Sequence, residues 1–207
     1  MRVAIKRECP KLLLATSNTG KLAEFRDLLG GKGWQLLEPA QIDLMVDVEE
    51  TGVSYSENAA SKAKAWAAAA GCWALADDSG LEVAALDGAP GLFSARFAGP
   101  ERTDAQRRRF LLGQLAAHTK PWQARFVASV AFANPAGFLA LEQGICVGEI
   151  IDKERGTSGF GYDPIFLVED TGKTMAELTM EQKNQVSHRA RAVKAVLPIL
   201  QEKLGMD

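Results

Sequence analysis

Two long stretches in the middle of the chain constrain its fold most strongly. Residues 125–134 and 138–151 are rich in strand-forming residues, and an Asn-Pro-Ala-Gly sequence typical of a tight turn lies at residues 134–137. Together they predict a hairpin of two long antiparallel strands.

A strand–helix–strand unit is predicted near the start of the chain. Residues 11–16 form a short apolar run, as expected of a buried strand, and residues 18–29 carry apolar side chains at helical spacing before Gly30. Residues 34–37 predict the next strand. This unit and the later hairpin indicate an α/β fold built on a mixed sheet.

Further helices are predicted at residues 55–70, from Thr103 to about residue 117, and at residues 187–204, where Pro198 should kink the helix. Glycines concentrate in the connecting loops, which indicates that the loop backbone approaches another group closely.

The composition describes an ordinary globular protein. The 207 residues have a mass of 22.3 kDa, with 47% hydrophobic and 24% charged residues, so we expect a single domain over residues 1–207. Residues 1–10 are a candidate extra N-terminal segment. The formal net charge of −2 argues against a bulk nucleic-acid or membrane-surface binder, which would carry a basic excess.

The cysteines and histidines exclude several metal and disulfide architectures. Cys9, Cys72 and Cys146 are far apart and form no CxxC pair, while His118 and His188 are the two histidines. This pattern favours a reducing compartment without a zinc site. Because no run of about 18 apolar residues occurs, we expect a cytoplasmic protein with no membrane partner.

Two adjacent acids at Asp77 and Asp78 are followed by Ser79 and Gly80, between the apolar runs 72–76 and 81–85. Carboxylates at the edge of a sheet are costly unless they bind a metal ion or transfer a proton. The alternative is a surface turn, since Asp, Ser and Gly are common turn formers. These residues alone leave both interpretations open.

A second candidate site joins the first strand to the first helix. Its residues are Thr16, Ser17, Asn18, Thr19, Gly20 and Lys21. Backbone N–H groups and a lysine at a helix N-terminus form a favourable anion site. It is not a Walker loop, because Ala15 and Leu22 replace the required Gly and Ser or Thr. The alternative is a plain helix cap with a surface lysine.

Two helices carry further polar candidates. Asn58 and Lys62 are four residues apart on one helix face, where both could reach a phosphate. Lys183, His188 and Arg189 lie near the start of the last helix and could bind a phosphate or a purine carbonyl. A solvated helix face is the alternative in each case.

An aromatic loop completes the set. Phe160, Gly161, Tyr162 and Asp163 combine aromatic rings, which can stack on a base, with an acceptor that can bind its edge. Alternatively, the rings belong to the core.

Five sequence blocks in this order resemble the Ham1/inosine triphosphatase family of noncanonical purine nucleoside triphosphate pyrophosphatases. They are ATSNTGK, EETGVSYSENAASKA, ADDSGLEVAALDGAPGLFSARFAG, GTSGFGYDPIF and KNQVSHRARA. The resemblance implies an elongated mixed sheet flanked by helices, in two lobes with the active-site cleft between them, and a homodimer. The implied reaction is Mg²⁺-dependent hydrolysis of ITP, dITP or XTP to the monophosphate and pyrophosphate.

The same resemblance assigns roles. Asp78 matches the general base and a metal ligand, Lys62 the lysine that faces the phosphates, and Glu49 or Glu50 a second metal ligand. Ser79 and the 16–21 segment match substrate-binding positions. The positions that match base recognition are Phe160, Gly161, Tyr162, Asp163, Lys183, His188 and Arg189.

Two other functions remain open at this point. The chain could be a pyrophosphatase with a different base preference, or a nucleotide-binding protein that has lost turnover. The retained Asp78, Lys21, Lys62 and acidic residues argue against an inactive binder, which has no need of metal ligands.

Overall fold

The computed structural model describes residues 9–205, within which six strands form one mixed sheet. The strands are β1 (Lys11–Leu14), β2 (Gln35–Leu37), β3 (Trp73–Val83), β4 (Trp122–Ala133), β5 (Leu139–Ile150) and β6 (Phe166–Val168). Their order across the sheet is β2-β1-β3-β4-β5-β6. β1 is parallel to β2 and β3, and the other neighbours are antiparallel. The predicted hairpin and the predicted mixed sheet are confirmed.

The helices are α1 (Thr19–Leu29), α2 (Tyr55–Ala70), α3 (Asp104–Leu115), α4 (Met180–Val186) and α5 (His188–Leu204). The predicted capping box of Thr103 and Gln106 begins α3. Pro198 lies inside α5, which continues through it to Leu204. None of the helices within residues 9–205 is long and apolar enough to cross a membrane.

The acidic pair does not lie in a turn or at a sheet edge. Asp77 and Asp78 are in the middle of β3, which pairs with β4 without a break from Ala74 to Val83. Of the two interpretations left open for this pair, the surface turn is therefore wrong, and so is the position at a sheet edge assumed by the other. The reason is tertiary, since both carboxylates find cationic partners that allow them to stay within a central strand.

Alternation along β3 directs the two acids to opposite faces of the sheet. Asp77 shares its face with Leu75 and Leu81, which belong to two separate apolar clusters. Asp78 shares its face with Ala76, which packs in a third cluster beneath α2. The acids thus interrupt the apolar surface of the sheet between two lobes, one around the cluster that contains Leu75 and one around the cluster that contains Leu81, and the cleft opens at that point.

Candidate active site

A cleft with a volume of about 380 Å³ lies between the lobes and collects most of the predicted site residues. Those that line it are Thr16, Ser17, Asn18, Lys21, Glu50, Lys62, Asp78, Ser79, Phe160, Gly161, Tyr162, Asp163, Lys183, His188 and Arg189. Thr19, Gly20 and Glu49 lie outside this lining. Its size is that of a small-molecule site.

The N-terminus of α1 forms one end of the cleft. Asn18 caps the helix, because its Oδ1 accepts a hydrogen bond from the Lys21 N–H at 3.0 Å. Thr16 Oγ1 accepts from the Asn18 N–H at 3.2 Å and stabilises the preceding turn. The Lys21 ammonium lies 3.1 Å from Asp77 Oδ1. A helix N-terminus and a lysine therefore converge here, as an anion site requires.

Asp78 is held from several directions but is not fully neutralised. Its Oδ2 accepts from Asn58 Nδ2 at 2.9 Å, and its Oδ1 accepts from the Ser79 N–H at 3.0 Å. The Lys62 ammonium is 3.7 Å away. Burial raises the pKa of Asp78 above its ordinary value, and this outweighs the opposing effect of Lys62. Asn58, expected to face a phosphate, instead orients the carboxylate.

Glu50 and Asp78 share the ammonium group of Lys62. Glu50 Oε1 lies 2.8 Å from Lys62 Nζ, and Arg96 lies 3.6 Å from the other oxygen of Glu50. Two carboxylates around one cation form an oxygen donor set that would suit Mg²⁺, which typically binds one or two carboxylates together with phosphate and water oxygens. Within residues 9–205, no group of three or more His, Cys, Asp or Glu residues is arranged to hold a metal.

On the other face of β3, Asp77 belongs to a buried chain of ion pairs. Arg189 donates to Asp77 at 2.9 Å and to Glu24 at 2.5 Å. Lys183 lies 2.7 Å from Glu24 and 2.6 Å from Asp163. Burial alone would raise the pKa of Glu24, but Arg189 and Lys183 lower it to about 2. We call these five residues the inner ion-pair chain, and it connects the centre of β3 to the aromatic loop.

Arg189 has little capacity left for a ligand. Its guanidinium makes four hydrogen bonds within the protein, to Asp77, Glu24 and Ser79. Although it lines the cleft, its geometry is that of a group that positions others.

Glu24 lines the cleft and was missed by the sequence reasoning. A signal was present, because Glu24 follows Lys21 by three residues and precedes Leu28 by four. This spacing places an acid on the same helix face as an apolar residue and a candidate ligand lysine.

The aromatic loop, residues 159–163, is closed by Asp163. Asp163 Oδ2 accepts from the Phe160 N–H at 3.0 Å, and a Cβ at Gly159 would lie only 2.0 Å from that oxygen. The Phe160 ring packs on Gly20, where a Cβ would lie 2.3 Å from the ring. Gly20 is therefore required for the contact between the start of α1 and the aromatic loop, which joins the two ends of the cleft.

His188 and Tyr162 are both buried. The His188 ring stacks on Phe126 with 4.7 Å between ring centroids, and its Nδ1 has no hydrogen-bond partner. Burial, reinforced by the cation of Arg189, lowers the pKa of His188 well below its ordinary value, so the imidazole is neutral at pH 7. The Tyr162 hydroxyl donates to the Ser94 carbonyl at 2.9 Å.

Asp104 and Arg107, in the first turn of α3, also line the cleft and were not predicted. The capping box correctly located the helix start, but its approach to residues 159–163, more than fifty residues later in the chain, left no local signal.

Comparison with known proteins agrees with this architecture. Over 189 residues the chain is 48% identical to a dITP/XTP pyrophosphatase of Nostoc sp., and the aligned region covers 90% of this chain and 92% of that protein. It is 43% identical to one of Exiguobacterium sibiricum, covering 94% and 99%. Its fold matches a HAM1 protein from Coxiella burnetii with a TM-score of 0.83 and 40% identity, over 93% and 99% of the two chains. The sequence profile of the Ham1 family matches residues 12–199, and the chain therefore belongs to the Ham1 family.

Proposed function

We propose that this protein hydrolyses noncanonical purine nucleoside triphosphates (ITP, dITP and XTP) to the monophosphate and pyrophosphate. The observation that carries the proposal is Asp78, a partly desolvated carboxylate with a raised pKa that lies in one cleft with Lys62 and the N-terminus of α1. The dITP/XTP pyrophosphatases to which the chain is similar support the same reaction.

The polar end of the cleft would bind the triphosphate. Thr16, Ser17 and Asn18 present backbone and side-chain groups at the start of α1, and Lys21 and Lys62 supply positive charge. Fixed positive charge of this kind stabilises the negative charge that develops on a leaving pyrophosphate.

Asp78 would act as the general base toward the attacking water. Its raised pKa makes it a better proton acceptor than an ordinary aspartate, and Asn58 and the Ser79 N–H hold it in one orientation. Lys62 would neutralise phosphate charge beside it.

Mg²⁺ is the proposed cofactor, held by Asp78 and Glu50. When bound, it would offset phosphate charge and orient the substrate. Glu50 is preferred to Glu49 as the ligand because Glu50 lines the cleft and already shares a cation with Asp78.

The end of the cleft formed by the aromatic loop would select the base. Phe160 would stack on it, while the imidazole of the neutral His188 would donate to the purine O6. Adenine presents an amine at that position, which would leave such a donor unpaired and reduce its binding. Asp163, Lys183 and Arg189 would hold this end in place through the inner ion-pair chain.

We also propose a single domain that assembles as a homodimer in the cytoplasm. The sheet crosses both lobes, which supports one domain, and the free Cys9, Cys72 and Cys146 suit a reducing compartment. The candidate N-terminal segment, residues 1–10, lies mostly outside the described residues. Light scattering on the purified protein tests the dimer, and a monomer mass would refute it.

The function is tested by incubating the purified protein and Mg²⁺ with ITP, dITP, XTP, ATP, GTP and CTP and measuring pyrophosphate release. We expect turnover of the first three to exceed that of the others and to stop with a metal chelator. Turnover of none of these three would overturn the proposal, and release of orthophosphate would contradict the bond assignment.

A further inference from the structure

One residue of the aromatic loop, Gly161, is held by α3 at both its backbone N–H and its carbonyl, and we call these two contacts the α3 grip. Asp104 Oδ2 accepts a hydrogen bond from the Gly161 N–H at 2.7 Å, and Arg108 Nη1 donates to the Gly161 carbonyl at 2.8 Å. Both side chains come from the start of one helix, and both bonds involve a charged partner. Such bonds are stronger than those between neutral groups.

Both gripping side chains are themselves held in place. Arg108 makes a two-pronged ion pair with Glu154, at 2.9 Å for each bond. Arg107 bonds the other oxygen of Asp104 and donates to the Ala95 carbonyl at 3.0 Å. Burial acts to raise the pKa of Asp104, but the Gly161 N–H and Arg107 outweigh it and lower that pKa, so the side chain is ionised at pH 7.

The grip acts next to the ring that would meet the base. Gly161 follows Phe160 directly, and the Phe160 ring packs on Gly20 and lies 5.3 Å from the Lys183 ammonium. The loop is also held by Asp163, which accepts from Lys183, and by Tyr162, whose hydroxyl donates to the Ser94 carbonyl. The α3 contacts are the ones that act on the residue directly after Phe160, so their removal would loosen Phe160 relative to Gly20. Misplacement of a positioning group by about 1 Å can cost orders of magnitude in rate.

We propose that Asp104 and Arg108 are positioning residues for base selection, acting through the backbone of Gly161 on the ring of Phe160. The inference rests on the proposed function, and it adds α3 to the machinery that distinguishes one base from another. A merely structural contact would weaken all nucleotides alike, whereas this grip affects the base end and leaves the phosphate end intact.

The first test compares Asp104→Ala, Arg108→Met and the wild type in hydrolysis of dITP and dATP, with tripolyphosphate as an inhibitor that has no base. Loss of one charge-assisted hydrogen bond predicts a rise in KM for dITP of about tenfold and a reduced dITP-to-dATP ratio of kcat/KM. The inhibition constant of tripolyphosphate should stay within about twofold, since the contacts of Lys21 and Lys62 are untouched. Asp104→Asn keeps an oxygen for the Gly161 N–H and should recover most of the selectivity.

Arg109→Ala is the matched control, because Arg109 is exposed on the same helix. It should behave as the wild type. An unchanged dITP-to-dATP ratio in both gripping variants, or an equal loss for dITP, dATP and tripolyphosphate, would overturn the proposal.

A second measurement does not depend on catalysis. Amide hydrogen exchange of residues 159–163 should be at least about tenfold faster in Asp104→Ala and Arg108→Met than in Arg109→Ala. Unchanged exchange would overturn the grip itself. If the wild type hydrolyses neither dITP nor XTP, the proposed function fails, while exchange still decides whether α3 holds the loop.

Discussion

Asp77 and Asp78 are neighbours on one strand with the same side chain, yet their surroundings give them opposite properties. Asp77 is 2% exposed and contacts Arg189 at 2.9 Å and Lys21 at 3.1 Å. Burial would raise its pKa, but these cations lower it well below the ordinary value. Asp78 faces the cleft, its cation is 3.7 Å away, and burial raises its pKa.

The difference shows how two adjacent residues of one strand can have different roles, one stabilising the fold and the other available for catalysis. A carboxylate with short contacts to buried cations stabilises the fold and is a poor base, because its proton affinity is low. A carboxylate held by an amide and a more distant cation keeps more proton affinity. The alternation of side chains along β3 is sufficient to create both environments.

The largest expected effect is on catalysis by Asp78→Asn. The variant should lower kcat for dITP by about 10²–10⁴-fold, since it removes the proposed general base. The nucleotide should still bind, because Lys21 and the start of α1 remain. Rates of pyrophosphate release and calorimetric binding measure the two effects. Retention of more than about a tenth of the wild-type rate would exclude a general-base role.

The reciprocal change, Asp77→Asn, should mainly reduce stability. Arg189 and Lys21 would each lose a carboxylate partner, and breaking a buried ion pair typically costs about 3–5 kcal/mol of unfolding free energy. Urea denaturation measures this loss, with the exposed Asp170→Asn as the control. Equal stability of the two variants would refute the structural role assigned to Asp77.

Acid pH should weaken the inner ion-pair chain, because it protonates Glu24. The pKa of Glu24 is lowered to about 2 from 4.5, so its stabilising contribution is complete above about pH 4.5 and is lost as the pH falls toward 2. The shift corresponds to about 3 kcal/mol. Glu24→Gln should therefore be less stable than the wild type at pH 7, by a margin that narrows between pH 4.5 and 2. Urea unfolding across this range would show a constant margin if Glu24 were not ion-paired.

The smallest expected effect tests whether Asn58 orients Asp78. Asn58→Ala removes the hydrogen bond to Asp78 Oδ2 and should reduce kcat about tenfold, since a bond to a charged group is lost. Ser61→Ala, on an exposed position of α2, is the control. Equal kcat values in the two variants would show that the Ser79 N–H and Lys62 orient Asp78 without Asn58.

Local signals predicted much of the fold. The hairpin, the helix that begins after Thr103 and the helix that follows the first strand all depend on residues close in sequence, and the structure contains each of them. The acidic pair could not be placed in the same way. Asp77 stays within a strand because Arg189, which follows it by 112 residues, reaches it in the folded molecule.

The sequence by itself determined the mixed α/β architecture, the Ham1 resemblance and most of the residues that line the cleft. Hydrophobic periodicity, helix caps and the order of motifs can be identified from the sequence without knowing which residues are in contact. Only the tertiary structure decided which acid is ion-paired and which faces the cleft, and that Asn58 binds Asp78. It alone also revealed that α3 grips the aromatic loop. Burial and charge pairing decide these outcomes, and both depend on segments that meet only when the chain has folded.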